Sequence, residues 1–131
     1  MDQDRIKISK DRMKKSAQEY GSAEKLIELE DYNSAINRAY YAVFHVVSAL
    51  LILDGLSFKT HSAVITKFQE LYIKTGVFEK KLSDIIRDLY KDRIDSDYED
   101  FFWASREDAE AQVKNAEIFI KTVRPYVESR F

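Results

Sequence analysis

Apolar positions recur every three to four residues along most of the chain, in blocks separated by short polar stretches. This period predicts helices, because the apolar positions of a half-buried strand would alternate. We expect helical segments at about residues 4–30, 31–53, 60–76, 79–94 and 105–128. Short connections between long helices favour antiparallel neighbours, so the predicted fold is an all-α, antiparallel up-and-down four-helix bundle, with residues 1–131 in a single domain.

Capping residues mark the starts of two of these helices. Asp31 or Asn33 is expected to cap the second helix, because both side chains accept hydrogen bonds from free backbone N–H groups. Ser105 and Asp108 have the spacing of a capping box at the start of the last helix. Both patterns support helix starts at these positions.

Two other stretches are expected to interrupt the helical pattern. Pro125 should bend or fray the end of the last helix, because proline lacks the backbone N–H that a helix interior uses. Residues 96–104 are predicted to be irregular, with the aromatic residues at 101–103 closing one end of the bundle or a contact between subunits.

The second helix is predicted to lie at the centre of the bundle. At about 100° per residue, Arg38, Tyr41 and His45 fall on the side opposite a broad apolar face. That apolar face comprises Ile36, Tyr40, Val43, Phe44, Val47, Leu50 and Leu51. A helix that is apolar or aromatic nearly all round is contacted from several sides. We expect the polar stripe to form hydrogen bonds between helices or to lie in a subunit interface.

Arg93 occupies a position where the fourth helix should carry another apolar residue. It continues a row that consists of Leu82, Ile85, Ile86 and Leu89. Burying an unpaired guanidinium costs several kcal/mol, so Arg93 needs an acceptor. One interpretation is an ion pair with Asp97 that closes the helix end. The other is a groove in which the planar guanidinium binds a phosphate or a carboxylate.

Composition and charge narrow the possible functions. The net charge of −2 lacks the basic excess of a general nucleic-acid binder, although the first helix is locally basic and forms either a solvated face or an RNA contact. The chain has no cysteine, which excludes disulfides and thiolate chemistry. There is no signal-peptide pattern, and the apolar tract AVFHVVSALLIL is shorter than a bilayer span. We therefore expect a cytoplasmic protein that does not bind membranes.

Two stretches resemble a known family. Residues 37–68, NRAYYAVFHVVSALLILDGLSFKTHSAVITKF, and residues 93–98, RIDSDY, resemble small prokaryotic HEPN-domain proteins (higher eukaryotes and prokaryotes nucleotide-binding), in the branch with an Arg-x-x-x-Asp-Tyr motif. The final SREDAEAQVKNAEIFIKTV fits the last helix of that family, so the resemblance covers residues 14–127. It implies a helical bundle that forms homodimers. Many such proteins act with a separate minimal nucleotidyltransferase in toxin–antitoxin pairs, and some pairs modify a tyrosine near the motif.

The resemblance also implies a candidate site, with one departure. Nuclease members are metal-independent RNases that use an arginine followed, after four to six residues, by a histidine. Here Arg93 is followed at those positions by Tyr98, Glu99 and Asp100. The resemblance therefore carries over Arg93, Asp97 and Tyr98 as ligand-binding candidates, and only Arg93 and Tyr98 as weak catalytic candidates. Three functions stay open: a nucleotide- or RNA-phosphate-binding module, a divergent RNase, and a purely structural protein.

Further candidates lie at the start of the third helix. His61 either caps this helix start or forms a hydrogen bond there, or else it belongs with Lys59 to an anion site, since helix N-termini attract negative groups. His61 or His45 is a possible acid–base partner of Arg93 across the bundle or from a second subunit. DSDYED, residues 95–100, lacks the glycine of a calcium loop, which leaves a loose magnesium site as the alternative. We expect no resident metal and no cofactor.

Overall fold

The computed structural model describes residues 2–98 and 103–131, with the side chains of residues 96–98 outside that description. These residues form five α-helices and no strand, which confirms the all-α prediction. The helices are α1 (Gln3–Glu28), α2 (Tyr32–Leu53), α3 (His61–Phe68), α4 (Lys80–Tyr98) and α5 (Arg106–Ser129), and a π-helical turn (Gln69–Ile73) continues α3.

Helix α2 is the central element, as its pattern predicts. It packs against α1, α3, α4 and α5, and Tyr40, Val43 and Leu50 have no solvent exposure. The helix has 22 residues and is long and apolar enough to cross a membrane, although 61% of its most apolar 18-residue window is buried inside the bundle. The apolar tract AVFHVVSALLIL, which by itself is shorter than a bilayer span, is thus part of a longer helix. Its burial is that of a core helix.

Small residues bring α1 close to α2. The Ser9 hydroxyl donates to the Ala49 carbonyl oxygen at 2.7 Å, and the Ser16 hydroxyl donates to the Ala42 carbonyl oxygen at 2.6 Å. Both serines are buried, so these hydrogen bonds satisfy hydroxyl groups that would otherwise be costly to bury. The seam fixes the rotation of α1 and places Arg12, which lies between the two serines, against α2.

The observed helix boundaries correct part of the sequence prediction. Asp31 caps α2 and accepts from the Ser34 N–H at 3.3 Å, whereas Asn33 accepts from the Ala104 N–H at 2.9 Å. The capping box of Ser105 and Asp108 is present. Helix α4 continues to Tyr98, beyond the predicted end at residue 94.

The predicted fraying at Pro125 is wrong, because α5 runs on to Ser129, whereas the alternative of a bend at Pro125 stays a prediction. The exposed Pro125 is flanked by Val123 and Val127, which are fully buried, so packing holds the helix across the missing N–H. The prediction that Trp103 closes the end of the bundle is wrong, because its side chain is 82% exposed, whereas the alternative of a contact between subunits stays a prediction. Residues 101 and 102 lie outside the described part of the chain.

Three side chains form a polar cluster at the C-terminal end of α2: Asp54, Tyr72 and Arg130. We call this cluster the clamp. Arg130 donates to the Asp54 carboxylate at 2.8 Å and to the Tyr72 hydroxyl at 2.9 Å, and Tyr72 in turn donates to Asp54. Asp54 ends α2, Tyr72 lies in the π-helical turn, and Arg130 follows α5. Burial and the neighbouring Asp54 carboxylate raise the pKa of Tyr72, so its hydroxyl stays protonated. The clamp ties three elements together.

Candidate anion-binding site

Arg93 lies half-buried where α4 crosses α2. Its apolar predecessors on the row, Ile86 and Leu89, are fully buried, so the row is the packing face of α4 as predicted. The Arg93 guanidinium donates to the Tyr41 hydroxyl at 3.0 Å. Its central carbon lies 5.6 Å from the centre of the Tyr41 ring and 6.0 Å from that of Tyr40. Arg93 thus rests on a pair of adjacent tyrosines of α2, an arrangement that attracts a cation to aromatic faces.

His61 joins the same group of residues from α3. Its Nδ1 lies 2.8 Å from the Tyr40 hydroxyl, and its ring stacks on Phe44 with centroids 4.2 Å apart. Thr60 caps α3 by accepting from the Ala63 N–H at 3.2 Å, so His61 is not the capping residue. Capping by its neighbour leaves the imidazole free to turn toward α2. We call Arg93, His61, Tyr40, Tyr41 and Phe44 the Arg93–His61 cluster.

The electrostatics of the cluster keep His61 uncharged at neutral pH. Burial lowers the pKa of His61 below its ordinary 6.5, and the positive charge of Arg93 lowers it further. This Coulombic effect of Arg93 on His61 places the two groups in one electrostatic environment. Burial raises the pKa of Tyr40, so its hydroxyl stays protonated beside the imidazole.

The hydrogen bond to Tyr40 determines which atom His61 can offer to a ligand. Nδ1 is engaged with the Tyr40 hydroxyl in either tautomer. Nε2 is the other polar atom of the ring, and it donates if the tyrosine hydroxyl donates to Nδ1 and accepts if Nδ1 carries the proton. A neutral imidazole beside a fixed guanidinium can bind a phosphate oxygen or take up a proton.

The other predicted residues have separate placements. Arg38 stacks on Tyr41 at 4.9 Å but is held by an ion pair with Glu19 at 2.8 Å. Lys59 is exposed, and within the described part of the chain it makes no hydrogen bond or ion pair with the cluster. His45 is 6.1 Å from the Tyr41 ring and lines a separate pocket.

Asp97 and Tyr98 belong to α4, but their side chains lie outside the described residues. The predicted Arg93–Asp97 ion pair and the predicted roles of Tyr98 therefore stay predictions. Among the described residues, no three histidine or acidic side chains converge as metal ligands.

Two members of the cluster were assigned to the core by the sequence pattern. Tyr40 is fully buried and Phe44 is half-buried, yet both contact His61. The presence of a tyrosine at a core position could have indicated such a contact, because a buried hydroxyl usually has a hydrogen-bond partner. The identity of that partner depends on the approach of α3, which periodicity does not reveal.

Comparison with known proteins identifies the family to which this bundle belongs. The family model described as the HEPN domain matches residues 9–126. The chain belongs to the HEPN-domain family. The match covers all but the last residue of the range in which the sequence resembles that family, and it includes every member of the Arg93–His61 cluster.

Similar proteins come from bacteria and archaea. This HEPN protein is 35% identical over 106 residues to a UPF0332 protein of Thermotoga maritima, covering 81% of this chain and 80% of that protein. It is 30% identical over 118 residues to a provisionally named toxin of Methanocaldococcus jannaschii, covering 90% and 80% of the two chains. A second provisionally named toxin from that archaeon is 35% identical over 109 residues, covering 82% and 81%.

Proposed function

We propose that this HEPN protein is a toxin-like module that binds the phosphate of a nucleotide or an RNA at the Arg93–His61 cluster. One observation carries the proposal: Arg93 and His61, from α4 and α3, meet on the tyrosines of α2. Guanidinium groups bind phosphate oxygens through paired N–H donors. The imidazole Nε2 and the hydroxyl of Tyr41 would supply further polar contacts.

The surroundings of the cluster suit a nucleotide better than a simple anion. Four aromatic rings, those of Tyr40, Tyr41, Phe44 and His61, lie with centroids 4.2 to 6.5 Å apart in their contacting pairs. Tyr40 is fully buried, so Tyr41, Phe44 and His61, which are partly exposed, are the rings that could stack on a base. Such stacking contributes about 1–3 kcal/mol per base and tolerates any base. The overall charge of −2 means that attraction for RNA would be local to such a site.

The partners follow from the family resemblance and from the names of the relatives. Two relatives are named as toxins, and the family resemblance implies a separate minimal nucleotidyltransferase as the other half of a pair. We propose that the protein is a cytoplasmic homodimer that acts with such an enzyme. Co-expression with a minimal nucleotidyltransferase from the same genome, followed by size-exclusion chromatography, tests this pairing. Separate elution of the two proteins would contradict it.

Binding measurements on two arginine variants test the phosphate site. We expect Arg93→Ala to weaken the binding of a short oligoribonucleotide by about tenfold, which corresponds to about 1.4 kcal/mol. Arg87→Ala removes the same charge from an exposed position of α4 and should change nothing. Fluorescence anisotropy with labelled RNA measures both. Equal affinity of wild type and Arg93→Ala would contradict the proposal.

A second candidate function is metal-independent cleavage of RNA, which the position of His61 favours. His61, neutral beside Arg93, would accept the proton of a ribose 2′-hydroxyl, whose oxygen attacks the phosphorus and displaces the 5′-oxygen. The products would be a 2′,3′-cyclic phosphate and a 5′-hydroxyl, which takes its proton from water. Arg93 would stabilise the charge that develops on the phosphate oxygens. His61 would thereby replace the histidine that is absent after Arg93 in the sequence.

Cleavage assays in EDTA separate this function from simple binding. His61→Gln should abolish cleavage while leaving RNA binding within a few-fold of wild type, because general acid–base catalysis contributes about 10²–10⁴-fold. Lys14→Gln is the control, since Lys14 is exposed and lines a pocket away from the cluster. Cleavage that survives His61→Gln would exclude this mechanism.

A further inference from the structure

A second pocket of about 230 Å³ lies beside the Arg93–His61 cluster, between α1, α2 and the loop that leads to α3. Its walls include two cations, a histidine, a serine and two aromatic rings: Arg12, Lys15, His45, Ser57, Phe44 and Phe58. Among the residues that the structure describes, no aspartate or glutamate lines it. A pocket on the other side of α1 differs, because it is lined by Glu24, Glu28, Glu110 and Glu117.

The cations of this pocket have no acidic partner in the described part of the chain. Arg12 is half-buried and donates to the Ser48 carbonyl oxygen at 3.1 Å. Among the described residues, neither Arg12 nor Lys15 forms an ion pair with a carboxylate, whereas Arg38 pairs with Glu19 at 2.8 Å. Burial lowers the pKa of Arg12, which indicates that its charge is partly removed from water. A partly desolvated cation without a carboxylate favours an anion from outside.

His45 lies within the same field of positive charge. Burial lowers the pKa of His45, Glu19 opposes this effect, and the charges of Lys15, Arg12 and Arg38 lower the pKa further. A neutral His45 can donate one hydrogen bond to an anion.

The pocket and the Arg93–His61 cluster share a wall. Phe44 lines the pocket and also stacks on His61, with ring centroids 4.2 Å apart. Tyr41 contacts Arg93 through its hydroxyl, and its ring centre lies 6.1 Å from that of His45. Arg93 therefore lies on one side of the Tyr41 and Phe44 rings, and the cations of the pocket lie on the other. Proteins that hold single strands combine backbone-binding cations with aromatic stacking in this way.

We propose that Arg12, Lys15 and His45 form a second phosphate subsite, which holds another phosphate of the RNA strand bound by Arg93 and His61. This inference rests on the proposed function. Phe58, which is 36% exposed at the pocket rim, offers a face for a base. The ligand is then a strand of at least two nucleotides rather than a mononucleotide.

The salt dependence of RNA binding tests this subsite. Lys15→Gln removes an exposed charge of the pocket with little risk to folding, and Lys14→Gln removes the neighbouring exposed lysine, which lines a different pocket. With an oligoribonucleotide of about eight residues, each lost phosphate contact lowers the slope of log affinity against log salt by about 0.7. We expect this decrease for Lys15→Gln and for Arg93→Ala, and no change for Lys14→Gln.

The other outcomes are distinguishable. An unchanged slope in Lys15→Gln overturns the subsite, whatever Arg93→Ala does. A slope lowered by Lys15→Gln but not by Arg93→Ala overturns the proposed function and the shared strand with it. AMP and inorganic phosphate form separate arms of the experiment: if they alone depend on Lys15, the pocket binds a free phosphate and the strand proposal is overturned. A shift of the dimer equilibrium in Lys15→Gln at an unchanged slope would identify a contact between two copies.

Discussion

The clamp and the Arg93–His61 cluster both join an arginine to a tyrosine of another helix, but they differ in the third group. In the clamp that group is the carboxylate of Asp54, which accepts from both Arg130 and Tyr72. In the cluster the corresponding group is the imidazole of His61, whose pKa is lowered by burial and by the charge of Arg93. The clamp pairs its arginine with a carboxylate that also accepts from its tyrosine. The cluster instead places a neutral imidazole beside its arginine, and this imidazole can bind a phosphate oxygen or take up a proton.

Breaking the clamp should have the largest effect on stability. Arg130→Ala leaves the Asp54 carboxylate without its ion pair, and hydrogen bonds to charged groups contribute about 1.5–3 kcal/mol each. We expect the free energy of unfolding to fall by about that amount in urea titrations, with RNA affinity unchanged. Arg124→Ala is the control, because its ion pair with Glu128 is exposed and contributes less than ~1 kcal/mol. A loss of RNA binding in Arg130→Ala would contradict the division of roles.

Removing the Tyr41 hydroxyl should have a smaller effect than breaking the clamp, and this effect should appear in RNA affinity. Tyr41→Phe keeps the ring under Arg93 but removes a hydrogen bond of about 0.5–1.5 kcal/mol. RNA affinity should fall several-fold because the guanidinium loses one of its supports. Tyr90→Phe is the control, because it removes the same hydroxyl from a tyrosine of α4 whose ring also packs against the cluster. The centroids of the Tyr90 and Tyr40 rings lie 5.7 Å apart. Equal affinities of the two variants would show that the Tyr41 hydroxyl does not position Arg93.

The smallest expected effect is on the pH dependence of stability. The pKa of His61 lies below 6.5 in the folded protein, so the unfolded chain binds a proton more readily. The free energy of unfolding is therefore undiminished above about pH 6.5 and decreases as pH falls through 6.5 towards the folded pKa. His45, whose pKa is also lowered, contributes in the same direction. In His61→Gln the decrease between pH 7 and pH 5 should be smaller, and an identical decrease would contradict the lowered pKa.

The fold was predictable because its information is local. The apolar rows of α2 and α4 and the capping box at Ser105 and Asp108 each depend on residues within a few turns of one another. Errors arose where packing overrides local preference, as at Pro125, which remains helical between two buried valines.

The site was only partly predictable, because it depends on how helices are rotated against each other. Arg93 stood out as a charge in an apolar row, and this needed no knowledge of packing. His61 was recognised as a candidate, but its contact with Tyr40 requires α3 to return across α2. The placement of Arg12 against the Ser48 carbonyl, with no ion pair among the described residues, depends in the same way on the serine seam between α1 and α2.

The pKa of His61, measured by NMR titration of its imidazole resonances, tests most directly whether His61 and Arg93 form one site. In the free protein this pKa should lie below 6.5, and in Arg93→Gln it should rise, because a nearby positive charge has been removed. Addition of a short oligoribonucleotide to the wild type should also raise it, because a bound phosphate stabilises the protonated imidazole. A His61 pKa that changes neither in Arg93→Gln nor with RNA would contradict the account.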